Sequence, residues 1–106
     1  MAERVMVTVA CGSVDEARKI ARALVEQRLA ACAQIVPGVE SVYRWQGQVE
    51  TANEVLLLVK TTEACWDRLS ELVRSLHSYE VPEILAVPIG HCLAEYGAWM
   101  DEQLAE

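Results

Sequence analysis

No apolar stretch of this 106-residue chain approaches the roughly 20 residues needed to cross a bilayer, so no membrane partner is expected. Lysine and arginine form no cluster either. Nine basic side chains stand against sixteen acidic ones, for a net charge of −7. Nucleic-acid binders carry a basic stripe that tracks phosphates, so nucleic acid is not an expected partner. The cysteines Cys11, Cys32, Cys65 and Cys92 are widely separated and form no Cys-x-x-Cys pair, which excludes an ordinary zinc ribbon or finger. P-loop, GxSxG, HExxH and dinucleotide fingerprints are all missing, and the chain is not expected to be an enzyme. Repeats, low-complexity segments and linkers are missing as well, so residues 1–106 are expected to form a single domain. Met1-Ala2-Glu3-Arg4 lacks the basic-then-apolar layout of a signal peptide. The expected location is the cytoplasm, where buried free thiols are the ordinary state of cysteine.

What is present is a globular composition, 53% hydrophobic and 24% charged, with a legible order of elements. Residues 5–10, Val-Met-Val-Thr-Val-Ala, read as a short buried strand. Ser13 and Glu16 then have the spacing of a capping box. Ala17, Ile20, Ala21, Leu24 and Val25 follow at helical intervals, with Arg18, Lys19, Arg22 and Glu26 on the other side. A strand from Cys32 is interrupted at Pro37-Gly38, a bulge or bend signal, and resumes to Trp45. Gln46-Gly47 supplies a turn, and residues 48–61 return as the second arm of a long hairpin. A helix over about 62–76 carries Trp66, Leu69, Val73 and Leu76 on its apolar stripe. A strand over 84–89 follows, and then a C-terminal helix with Leu93, Tyr96, Met100 and Leu104 on its stripe. The predicted fold class is α+β: a ferredoxin-like βαββαβ sandwich with a long hairpin and one added helix.

Two features argue that such a domain does not work alone. Residues 55–59 are apolar at every position, although the open face of a two-layer antiparallel sheet should alternate apolar with polar. The hairpin arms of about 14 residues also outrun the short outer strands. Val39, Val42, Tyr43 and Trp45 are therefore expected to pack on a neighbouring copy.

Several segments resemble the CutA divalent-cation-tolerance family. These are Leu29-Ala30-Ala31-Cys32-Ala33-Gln34-Ile35-Val36-Pro37-Gly38, the hairpin tip Ser41-Val42-Tyr43-Arg44-Trp45-Gln46-Gly47 and the strand exit Leu58-Val59-Lys60-Thr61-Thr62. His77-Ser78-Tyr79-Glu80-Val81-Pro82-Glu83-Ile84 and Tyr96-Gly97-Ala98-Trp99 complete the set. The resemblance covers essentially the whole chain. It implies a homotrimer similar in plan to the PII signalling proteins, and an association with copper and other divalent metals. It also implies a cysteine at the position of Cys11, with two successive histidines in the later loop, as metal ligands. Here Leu76 stands in place of the first histidine and only His77 remains.

A sheet of order 4-1-3-2 would bring Cys11, His77 and Glu83 to one end as a candidate metal set, with thiol and imidazole favouring copper or zinc. Tyr79, Glu50, Glu54 and Trp45 are expected in an intersubunit cleft beside it. The competing reading has Cys11 packed under the sheet and His77 capping the second helix. Lys60 is expected at the opposite end with Cys32, as an ion-pair partner. His91 and the thiols of Cys65 and Cys92 receive no role. The leading functional expectation is a non-enzymatic trimer that binds a metal ion or small ligand between subunits. The alternative is a PII-like signalling or scaffolding trimer that acts on a protein partner.

Overall fold

The computed structural model describes residues 3–105; Met1 and Ala2, on which the signal-peptide argument partly rests, lie outside them. In chain order the elements are β1 (Arg4–Cys11), α1 (Val14–Glu26), β2 (Cys32–Trp45), β3 (Gln48–Thr62), α2 (Trp66–Leu76), β4 (Ile84–Pro88) and α3 (Ala94–Gln103). The four strands form one antiparallel sheet in the order β2-β3-β1-β4, the expected ferredoxin-like arrangement with one added helix. A 3-10 turn, Glu63–Cys65, precedes α2, so that helix begins at Trp66, the first residue of its apolar stripe, and not at about residue 62 as expected.

Strand parity decides what is covered. Val5, Val7, Val9 and Cys11 of β1 point to the helix side, with Val55, Leu57 and Val59 of β3 beside them. Ile20 and Leu24 of α1 and Leu69 and Val73 of α2 close over this layer. Val25 departs from expectation and is 42% exposed. Eight residues on from Ala17 it has turned ~80° round the helix, to the edge of the buried stripe. A second small cluster of Ala31, Cys65, Met100 and Leu104 seats α3 at one end of the sheet. Arg28, held at a φ of 60°, donates to the carbonyls of Glu102 and Gln103 and so caps that helix. Arg4 pairs with Asp101 at 2.8 Å across Gly97.

The opposite face of the sheet has no such cover. Leu56 and Leu58 are half-buried there, and Val36, Leu85 and Val87 are exposed. Leu93, which precedes α3, and Tyr96 within it are also exposed rather than packed as their stripe predicts. Lys60 lies opposite Cys32 in the β2–β3 register. Its ammonium donates to the Gln34 side-chain oxygen, an amide where the sequence suggests an ion pair.

The hairpin is as long as its sequence implies. The β1–β3 pairing stops at Cys11 opposite Val55, while β2 and β3 continue together to Trp45 opposite Gln48. The register shifts between Val36 and Val39, at the Pro37-Gly38 bulge, where Gly38 adopts a φ of 79° that an L side chain would resist. Gln46 and Gly47 both have positive φ, as a two-residue hairpin turn that matches strand twist requires. Beyond the sheet the ribbon carries Val42, Trp45 and Val49 largely bare.

Candidate functional site

The end of the sheet where β1 leaves and β4 enters gathers most of the chemistry-bearing residues. Cys11 is the last residue of β1 and is fully buried. His77 follows the last residue of α2, and its side chain has no solvent exposure. Glu16 lies in the first turn of α1, with its carboxylate 4.0 Å from His77 Nδ1. One ligand-type atom from each of Cys11, Glu16 and His77 lies within 4.8 Å of the others. Cys11 and His77 thus meet as the topology suggests, and Glu16 occupies the third corner.

Glu83 does not join them. It precedes β4, in which Leu85 pairs with Thr8, and its carboxylate accepts a 2.9 Å hydrogen bond from Thr8 Oγ1. Thr8 and Cys11 are three residues apart on one strand and so point to opposite faces. Glu83 belongs to the open face and Cys11 to the helix face. Reaching the same end of the sheet is therefore not enough to share a site.

The hydrogen bonds within the cluster are specific. The Tyr79 backbone N–H donates to His77 Nδ1 at 3.0 Å. That nitrogen must then present its lone pair, so Nε2 carries the proton and donates to the Ala10 carbonyl at 2.8 Å. Glu16 accepts from the backbone N–H of Gly12 at 3.0 Å and from that of Ser78 at 2.7 Å. Ser13 caps α1 by accepting from the Glu16 N–H at 3.1 Å. The capping box is thus half formed, because the Glu16 carboxylate reaches past Ser13 to Gly12 and to the later loop. Burial pushes the Glu16 carboxyl up. The bonds from Ser78 and Gly12, with the nearby His77, outweigh that and leave it below its ordinary value. Burial, reinforced by the Glu16 and Glu54 carboxylates, pushes the Cys11 thiol up to about 12.

These donors fit a metal poorly as they stand. Coordination needs thiolate and an imidazole lone pair. Here burial holds the thiol protonated, and the imidazole lone pair already accepts from Tyr79. One expectation concerns pH. The unfolded Glu16 titrates near 4.3 and the folded one lower, so its stabilisation is full above that value and is lost as pH falls through the folded one. Glu16→Gln should lower the unfolding midpoint in urea at pH 7 and progressively less below about pH 4. Parallel curves for the two proteins down to about pH 3 would contradict this.

Next to the cluster, on the open face, a groove of about 830 Å³ runs between the hairpin and the loop before β4. Tyr43 and Trp45 line one side, Tyr79, Val81 and Glu83 the other, with Glu54 between them. Tyr79 Oη donates to the Glu54 carboxylate at 2.9 Å. Burial first, and this bond second, push the phenol up to about 12. The ring lies over Gly12, where an added Cβ would come within 3.2 Å of its hydroxyl. Of the residues expected in a cleft, Tyr79, Glu54 and Trp45 line this groove. Glu50 stands farther out, opposite Tyr43 on the ribbon. Glu16 was hidden from the sequence because the capping pattern already accounts for a glutamate at that position. His91 is exposed, and Cys32 reaches Tyr96 Oη at 3.5 Å.

Comparisons with known proteins agree with this architecture. The model of the family described as CutA1 divalent ion tolerance protein matches residues 5–103. The divalent-cation tolerance protein CutA of Thermus thermophilus is 54% identical over 102 residues, 96% of this chain and 97% of that protein. Its solved structure superposes with a TM-score of 0.94 over 96% of this chain and 99% of that one, at 50% identity. The crystal structure of CutA1 from Oryza sativa gives a TM-score of 0.96 at 38% identity, covering 99% of this chain and 96% of that one. Mouse Protein CutA is 42% identical over 94 residues; the match covers 89% of this chain and 53% of that longer protein. The chain belongs to the CutA1 divalent ion tolerance protein family.

Proposed function

We propose that this chain works as a cytoplasmic homotrimer that binds a divalent cation or small ligand, without catalysis, in grooves closed between subunits. Copper is the cation that the family resemblance puts first. The observation that carries the reading is the groove itself. One wall is the overhanging hairpin with Trp45 58% exposed, and the other holds the Tyr79–Glu54 pair. A two-stranded ribbon is marginal in water by itself. Burying one aromatic side chain stabilises by a few kcal/mol on the usual scale of roughly 25 cal/mol per Å². Packing the ribbon and the bare sheet face on neighbouring copies supplies that burial and closes the groove. The four free thiols suit a reducing compartment.

Sedimentation at micromolar concentration should give a trimer mass, and the melting temperature should rise with protein concentration. Calorimetry with copper should show binding that Glu54→Gln and Tyr79→Phe weaken. A monomeric mass removes the intersubunit groove, and equal copper affinity in the variants removes the ligand from it.

A further inference from the structure

We propose that Glu16 and His77 form a closed clamp beside buried Cys11 that positions Tyr79 as the wall of the groove, and that neither divalent cations nor Cu(I) bind at this cluster. The inference goes beyond the ligand reading above and stands whether or not the groove binds anything. It rests on lone pairs. A metal at this corner would draw on a sulfur, a carboxylate oxygen and an imidazole nitrogen. His77 has no nitrogen to offer, because Nδ1 accepts from the Tyr79 N–H and Nε2 donates to the Ala10 carbonyl. Each Glu16 oxygen already accepts one main-chain N–H, so an ion there would have to share the carboxylate with Gly12 and Ser78. The Cys11 sulfur lies under the sheet with no solvent exposure, and a buried thiol resists the ionisation that binding requires. Among the described residues no buried side-chain nitrogen or oxygen lacks a hydrogen-bond partner, so neither Glu16 nor His77 is left waiting for an ion.

What the bonds do accomplish is positional. Glu16 ties the start of α1 to Gly12 at the end of β1 and to Ser78 in the loop after α2. His77 ties that same loop to Ala10. Between them they fix residues 77–79 against the β1 terminus, which lays the Tyr79 ring over Gly12 and brings its hydroxyl to Glu54. The His77 and Tyr79 rings then stand 4.7 Å apart, centre to centre. Glu16 and His77 are positioning residues that act through Tyr79. A metal that took Nδ1 would break the Tyr79 N–H bond and release the groove wall.

The chain has two histidines, His77 and His91, so imidazole nitrogen NMR on the full-length protein reads the cluster directly. Zn2+ and Cu(I) are suitable diamagnetic probes. His77 should show a protonated Nε2 and a lone-pair Nδ1, and neither shift should move at saturating metal. Cys11→Ala should match wild type in chelator competition for Cu(I). Glu16→Ala should move the Tyr79 ring resonances as the ring leaves His77. Glu16→Gln, which keeps one acceptor oxygen, should move them less. His77 shifts that track one equivalent of metal would overturn the proposal, as would a roughly tenfold loss of Cu(I) affinity in Cys11→Ala. Tyr79 resonances unmoved by Glu16→Ala would overturn the positioning role. If Glu16→Ala does not fold, Glu16→Gln and the wild-type titration still decide. Copper binding nowhere on the wild-type chain would remove the cation from the groove and leave the clamp intact.

Discussion

Trp45→Ala should weaken subunit association by about 2–4 kcal/mol at each interface, the range for a buried aromatic hot spot, while leaving the subunit's own fold in place. Within one chain the indole is 58% exposed and belongs to neither buried cluster. Its removal therefore opens no cavity inside the subunit. The full core penalty of about 3–5 kcal/mol applies only where a neighbour covers the ring. The proposed trimer would carry the change three times, so the variant should dissociate on dilution at concentrations where the wild type stays assembled. Sedimentation velocity across a dilution series measures this, with circular dichroism to confirm that the sheet persists. An unchanged mass and melting temperature would place Trp45 in solvent in the assembled protein and refute the packing of the hairpin.

His77→Ala should destabilise the metal-free protein by at least about 2 kcal/mol, as the sum of two stranded backbone groups and a lost ring. The Ala10 carbonyl loses a 2.8 Å donor and the Tyr79 N–H loses a 3.0 Å acceptor. Each orphaned group costs about 1–3 kcal/mol when water cannot replace its partner. The void left by a side chain with no solvent exposure adds to that. Urea unfolding in chelator, at matched protein concentration, gives the number. A residue whose work is to hold a metal would show the opposite pattern, with little loss in chelator and a large loss of metal affinity. A change under about 1 kcal/mol in chelator would mean that water satisfies both groups.

The elements were legible because their signals are local. Ser13 before Val14 and the run from Ala17 to Leu24 mark α1 by capping and period alone. Pro37-Gly38 marks the bulge, and Gln46-Gly47 the turn, by backbone preference. The errors have equally specific causes. Val25 sits at the margin of a helical stripe, where period cannot distinguish core from edge. Glu83 was grouped with Cys11 because both reach one end of the sheet. The count along β1 from Thr8 to Cys11 puts them on opposite faces.

The sequence by itself determined the order of elements, the sheet that they form, the overhanging hairpin, the uncovered apolar face and the family. The elements follow from residue types at fixed spacings along one stretch of chain, and the family from the motifs that the chain resembles. Only the tertiary structure decided what Cys11, Glu16 and His77 do once they meet. A sequence names the ligand atoms, but whether a lone pair is free depends on which backbone N–H has been folded against it. The Ala10 carbonyl and the Gly12 amide come from the end of β1 and the residue just beyond it, and the Ser78 and Tyr79 amides from a loop more than 60 residues later. No local pattern records that meeting, and it turns a plausible metal set into a clamp.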